Sequence, residues 1–389
     1  MDLIHRRGPA WGLFVIALGL TCVGVVMVYS ASSVAAQAQF HDGAFFLKRQ
    51  LIYAVIGLGA MSVAWHVHYL RLRRWTIPLL ALAIAAVILV LFPHIGRVAG
   101  GARRWLSLGG VFNFQPAELA KLATILYLSN FLANRGERVR EFGAGLLPPL
   151  IVFLVLGAAI LKQPDLGSVL VLGLITVVML FLGGARVWHL LLVSAAAVPL
   201  GLVVILRESY RSSRLLAFLD PWKDPRGTGF HIIQSLLALG SGGLVGLGLG
   251  HSQQKFFYLP ERHTDFIFAI IGEELGLVGT TAIILLFVLV VVWGYRIASR
   301  IPDRFGMLLT SGLVTMLVGQ AALNIGVVSG AVPVTGVPLP FISFGGSSLV
   351  FSFLAIGILL NLSQYAHRPE PVAAERPPSK PRRAAWARP

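Results

Sequence analysis

An all-α polytopic membrane protein of about ten transmembrane helices, with a large extracytoplasmic loop between the seventh and eighth, is the architecture this sequence predicts. Three observations predict it. Of the 389 residues, 56% are hydrophobic and 12% charged, too few charges to cover a soluble protein of this length. Apolar runs near the length of a bilayer core recur along the chain. Arginine and lysine gather in alternate loops and in the C-terminal tail, so topology accounts for the net charge of +16 and nucleic acid is not expected as a partner. Cys22 is the single cysteine, which leaves no intramolecular disulfide and no cysteine metal site.

The chain opens with His5-Arg6-Arg7 and an apolar run from Ala10 to about Tyr29. That run is too long for the core of a signal peptide and matches a span, so a retained helix is expected. Helices are expected at roughly 10–31, 47–66, 75–93, 116–134, 145–161, 167–184, 188–206, 266–296, 304–327 and 346–365. Only Gly183 to His189 separates the sixth from the seventh, and merging them would move the C-terminus to the other side. With ten spans, Arg6 and Arg7, then Arg71, Arg73 and Arg74, then Arg135, Arg138 and Arg140, Arg186, and Arg296, Arg300 and Arg304 share one side. The positive-inside bias makes that side cytoplasmic, with both termini. Residues 1–366 then form the membrane domain, and the Pro- and Arg-rich 367–389 reads as a disordered cytoplasmic tail.

The outer face is left with four unusual loops, roughly 93–115, 161–167, 207–264 and 329–345. They carry Arg103, Arg104, Lys162, Arg207, Arg211, Arg214 and Lys255, against the topology bias. An anion such as pyrophosphate explains that charge.

The first of these loops reads Gly101-Ala-Arg-Arg-Trp-Leu-Ser-Leu-Gly109 and leads into Phe114-Gln-Pro-Ala-Glu-Leu-Ala-Lys121. Pro116 suits a first helical turn, Glu118 the positive helix end, and Lys121 can pair with Glu118. A structural ion pair and a cavity-facing pair are both open, since charges inside a span are expensive. Arg104 and Trp105 fit a phosphate and a sugar face, or an interfacial anchor. In Leu161-Lys-Gln-Pro-Asp-Leu-Gly167, Asp165 reads first as a helix cap, with Lys162 beside it a candidate for the ligand. Gln234 sits in an apolar run that can dip into the outer leaflet, and is a further binding candidate. The glycine run Gly240–Gly250 lacks the Gly-Lys-Ser/Thr ending of a nucleotide loop, so close backbone packing or a re-entrant turn is expected.

The segment Tyr258-Leu-Pro-Glu-Arg-His-Thr-Asp-Phe-Ile-Phe268 places Asp265 where a polar loop meets a span, with Glu261 and His263 close by. Asp265 is a cap, a general base or a metal ligand. Glu273 and Glu274 follow deeper, about 100° apart, so at most one shares the Asp265 face. The last outer loop, Pro333–Ser348, is broken by Pro and Gly and is expected to line a cavity, with Ser343 and Ser347 as donors to a polar ligand.

Three of these motifs in order resemble the SEDS family (shape, elongation, division and sporulation). They are Arg104-Trp105 before Gln115–Lys121, Leu259–Phe268 with Gly272–Gly276, and Pro338–Ser348. The resemblance covers nearly everything but the tail, and Gly246–Glu261 is closer to the division branch than to the elongation branch. The family's usual Tyr is Phe344 here. The resemblance implies a SEDS-type bundle and a peptidoglycan glycosyltransferase that polymerises lipid II at the outer face of the cytoplasmic membrane. It also implies a class B penicillin-binding protein and divisome proteins as partners. The family's essential aspartate falls on Asp265, and its important polar positions on Arg104, Trp105, Glu118 and Lys121. A divalent cation, Mg2+ or Mn2+, would suit Asp265 and a pyrophosphate, held partly by substrate. The rival readings are a flippase, which needs polar groups through the full depth of the bilayer, and a recruiting scaffold, which leaves Glu118, Lys121 and Asp265 without a purpose.

Overall fold

Within a bilayer every backbone N–H and C=O needs a partner inside its own segment, and each apolar run of this chain closes into a helix accordingly. A computed structural model describes residues 10–99, 102–108, 112–256 and 259–366; Arg6, Arg7, Tyr258 and the tail at 367–389 lie outside the described residues. The helices are α1 (Trp11–Phe40), α2 (Phe45–His66), α3 (Tyr69–Arg74) and α4 (Thr76–Leu89), then α5 (Pro116–Arg135), α6 (Leu147–Leu161), α7 (Leu166–Leu182) and α8 (Val187–Leu206). The short α9 (Ser209–Leu219) and α10 (Phe230–Ser241) precede α11 (Ile267–Ala298), α12 (Arg304–Val328) and α13 (Gly346–Ser363).

Each of the ten expected spans has its helix. Six described helices are long and apolar enough to cross a membrane, and α4, α7 and α8 are shorter apolar helices. α5 is less apolar, as its Glu118, Lys121 and asparagines require. The sixth and seventh expected spans stay separate as α7 and α8, because Gly184 turns the chain with φ +91° and the Arg304 guanidinium donates to the Gly183 carbonyl at 2.5 Å. α1 runs well past its expected end at 31 and stops at His41, whose left-handed φ of 54° caps it. Its Ala- and Ser-rich last turns contain no breaker before Gly43.

The loop at 93–115 departs most from expectation. It forms an antiparallel sheet of β1 (Gly96–Ala99), β2 (Ala102–Leu108) and β3 (Phe112–Phe114). Arg97 pairs with Trp105 and Val98 with Arg103, so Arg104 is the extra residue of a bulge in β2. A bulge breaks the in-out alternation of a strand and re-aims side chains.

α11 is broken at Gly276 (φ 64°, ψ −162°). The glycine run enters that break as a re-entrant segment. Leu247 and Gly248 donate backbone bonds to the Glu273 and Glu274 carbonyls at 2.9 and 3.0 Å, and Leu277 donates to Gly243 at 2.9 Å. Any side chain at Gly246 would meet the Glu274 carbonyl oxygen at 2.2 Å. The expected close backbone packing is therefore its use. At the centre, α13 is buried along almost its entire length, with Gly57 of α2 against the Phe353 ring, an approach only small residues permit. α12 packs against α5, α7, α11 and α13. The first turns of α5, α7, α11 and α13 meet the last turns of α12 at one end of the bundle, and the polar cavity lies there.

Candidate active site

The cavity has a volume of about 300 Å³ and is walled by all four of those helix starts. Gln115 and Glu118 come from α5, Ser168 from α7, Asp265 from the entrance to α11, and Gly345 and Ser348 from α13. Helix N-termini present unsatisfied N–H groups and partial positive charge, so their convergence favours an anion. Arg104 and Trp105 are adjacent on β2 and would normally face opposite ways; with the bulge both line the cavity. Arg104 is held by the loop before α7, donating to the Gln163 carbonyl at 3.2 Å and to the Pro164 carbonyl, with Asp165 at 4.0 Å. The loop is itself anchored where the Gln163 amide donates to the Val87 carbonyl at 2.8 Å.

Glu118 and Lys121 lie one turn apart and pair at 2.8 Å with 3% and 2% exposure, so the pair is at once structural and cavity-facing. The lysine also donates to the Gln320 Oε1 at 2.6 Å. The Asp265 carboxyl faces the cavity opposite these groups. Burial pushes its pKa up to about 7; Glu261 adds to the rise, Arg104 and Arg214 oppose it, and Asp165 adds again. Its backbone is fixed by Asn324, which donates to the Asp265 carbonyl at 2.7 Å. Gly336, with φ +74°, lies against it, so that a β-carbon there would sit 3.4 Å from Asp265 Oδ2 and 3.9 Å from Arg104 Nη1.

Of the candidates read from the sequence, the fold brings Arg104, Trp105, Glu118, Lys121, Glu261 and Asp265 to one cavity. Asp165 stands just behind, capping α7 through the Ser168 N–H at 3.1 Å and accepting from the Gln115 amide at 3.2 Å. Five candidates go elsewhere. Lys162 is exposed, and Gln234 lies on α10 away from the cavity. His263 packs between Phe46 and Phe344, at 4.4 and 5.8 Å, and burial pushes its pKa down to about 4, making it a neutral packing group. The Ser343 hydroxyl donates to the Thr264 carbonyl at 2.6 Å and accepts from the Leu339 N–H at 2.8 Å. The Ser347 hydroxyl donates to the Asn113 carbonyl at 2.9 Å and accepts from the Gln115 N–H at 3.0 Å. Both serines fasten loops, and Ser348 is the serine that lines the cavity.

Neither Glu273 nor Glu274 shares the Asp265 face. Glu273 accepts from Ser252 and from the Gln253 N–H at 2.8 Å, and Glu274 from the Ser252 N–H at 3.3 Å and from Ser30 of α1 at 2.7 Å, so both fasten the chain that follows the re-entrant glycines. Sequence reasoning left out Gln115, Gln320 and Gly336 as site residues, and named Arg214 only as one of seven outer-loop cations suited to an anion. Gln320 had a signal of its own, a polar residue inside a span. Arg214 arrives from α9, whose residues no spacing rule ties to Asp265. Among the described residues no group of three or more His, Cys, Asp or Glu could hold a metal; Asp265 and Glu261 share the cavity as hard oxygen donors.

The arrangement couples one high-pKa carboxyl to three cations at an electropositive helix junction. Such a site can take a proton from a nucleophile while it stabilises an anionic leaving group. The family described as cell cycle protein, FtsW/RodA/SpoVE, matches residues 10–368. The chain is 48% identical over 351 residues to the probable peptidoglycan glycosyltransferase FtsW of Geobacter metallireducens, covering 90% of this chain and 93% of the other. It is 45% identical over 361 residues to the stage V sporulation protein E of Bacillus subtilis, covering 93% and 98%. A solved chain from work on structural coordination of polymerization and crosslinking by a peptidoglycan synthase complex superposes with a TM-score of 0.76 at 31% identity, over 93% of this chain and 99% of that one. The rod shape determining protein RodA of Thermus thermophilus superposes with a TM-score of 0.69 at 28% identity, over 93% and 98%.

Proposed function

The chain belongs to the FtsW/RodA/SpoVE family, the SEDS proteins, and from that premise we infer that it is a peptidoglycan glycosyltransferase of the division type. It is a multi-pass membrane protein. Its substrate in this reading is lipid II, polymerised at the outer face of the cytoplasmic membrane with both termini inside. The carrying observation is the cavity itself, where Asp265 faces Lys121, Arg104 and Arg214 at the meeting of four helix N-termini.

Glycan growth needs two things at one place. The 4-hydroxyl of a GlcNAc acceptor must lose its proton as its oxygen bonds to C1 of the MurNAc donor. The C1–O bond to the diphosphate must break, with inversion, and its electron pair must be stabilised on undecaprenyl diphosphate. Asp265 takes the proton, and a carboxyl whose pKa lies near 7 suits a base at neutral pH. Arg104, Arg214 and Lys121 hold the diphosphate, with the Glu118 pairing keeping Lys121 in place. Trp105 offers a sugar platform at the same wall. The same carboxylate has one alternative use: Asp265 with Glu261 and substrate oxygens would hold a Mg2+ or Mn2+ ion that neutralises diphosphate charge, in place of accepting the proton.

The similar chain from a peptidoglycan synthase complex supports a crosslinking partner, here a class B penicillin-binding protein within the divisome. A flippase fits less well, because the cavity's charged groups gather at one end of the bundle instead of lining its depth. The test is polymerisation of fluorescent lipid II by the purified protein, with Mg2+ or Mn2+ and the partner carrying an inactive transpeptidase. Glycan ladders that vanish with Asp265→Ala are expected. Ladders that persist remove Asp265 from the chemistry, and no ladder from the native protein gives the flippase precedence.

A further inference from the structure

Among the uncharged polar residues of α12, two behave unlike the rest. Thr310, Ser311 and Thr315 turn their hydroxyls back to carbonyls of their own helix, as such residues do in apolar surroundings. Gln320 and Asn324, one turn apart, reach out of the helix instead. Gln320 accepts from Lys121 at 2.6 Å and donates to the Pro338 carbonyl at 3.1 Å and to Ser348 Oγ at 3.2 Å. Asn324 donates to the Asp265 carbonyl at 2.7 Å and to the Val337 carbonyl at 2.7 Å.

The partners fix both amide orientations. An ammonium faces the Gln320 oxygen and a carbonyl its nitrogen, while two carbonyls face the Asn324 nitrogen. The Asn324 oxygen is consequently buried with no partner. A buried acceptor left unmade is costly, and packing alone would favour an apolar residue there. Resting on the glycosyltransferase reading, we propose that Gln320 and Asn324 are positioning residues that set the distance between the base Asp265 and the leaving-group cation Lys121. Neighbouring carbonyls of one loop, Val337 and Pro338, tie the two amides together, so acid, cation and the Gly336 cradle move as one body. An amide at position 320 also serves the chemistry. A carboxylate there would give Lys121 a second counter-charge and cancel the field it offers the diphosphate.

The test compares the native protein with Asn324→Ala, Gln320→Glu and Gln320→Met. Each is assayed on lipid II for kcat and KM, normalised to the folded fraction. Misplacing a reacting group by about 1 Å costs on the order of a hundredfold, so Asn324→Ala should lower kcat by about 10- to 100-fold with KM within about threefold. Gln320→Glu, which keeps the side chain's size and adds the counter-charge, should lower kcat at least about tenfold, and Gln320→Met, which removes the tie to Pro338, at least about threefold. Unchanged kcat per folded molecule in Asn324→Ala, or in both Gln320 variants, overturns the proposal. If Asn324→Ala does not fold, the two Gln320 variants decide it. A native protein that makes no glycan refutes the underlying glycosyltransferase reading, whereas native activity matched by the variants refutes the positioning alone.

Discussion

The carboxylate proposed here as the base is one the fold disfavours. Asp265 ionises near 7 in place of its ordinary 3.8, because burial, and then Glu261, penalise the charged form more than Arg104 and Arg214 relieve it. At about 1.4 kcal/mol per pH unit, that gap sets a ceiling of about 4 kcal/mol on the cost of the ionised side chain. Water in the cavity screens part of it, so about 2–3 kcal/mol is expected. The folded state holds the proton more tightly than the unfolded chain, so the favourable contribution is complete below 3.8 and is lost as pH climbs through about 7. Asp265→Asn removes the ionisation without changing the shape. Its stability advantage should therefore be absent near pH 4, grow steadily, and reach full size above pH 7, while polymerisation is abolished. Thermal unfolding of the two purified proteins across that range measures the advantage. Polymerisation by the native protein should rise only around pH 7, where the folded-state carboxyl itself ionises. An advantage that is flat with pH, or a variant less stable than the native protein at pH 8, would show that Asp265 is not held as a disfavoured charge.

Two further perturbations separate the site from the scaffold. Lys121→Met leaves the Glu118 carboxylate buried without its 2.8 Å partner and should destabilise the fold by about 3–5 kcal/mol; adding Glu118→Leu should restore the unfolding temperature without restoring activity. Gly246→Ala forces a methyl to 2.2 Å from the Glu274 carbonyl oxygen and should sharply lower the yield of folded protein, whereas Gly240→Ala, with nothing within 4 Å, should leave yield and unfolding unchanged or slightly improved.

The sequence by itself determined the membrane class and the ten helical segments. Apolar length and charge asymmetry are local properties, and a bilayer leaves an apolar segment little choice but helix. It also supplied the core of the site, since a charge inside or beside a span, as at Glu118, Lys121 and Asp265, announces itself by its expense. Tertiary structure alone decided which polar groups line the cavity. Ser343, Ser347 and His263 look like binding residues in the chain, and only the partners brought to them from the loop before α11, from β3 and from α2 show that their polar groups or rings are already committed. The bulge that turns Arg104 and Trp105 to one wall depends on strand register, which the composition of a loop does not encode. Gln320 and Asn324 make the same point from the other side. Each is a single polar residue in an apolar span, and its meaning comes from Lys121, about 200 positions away in the chain, and from Asp265, about 60 away.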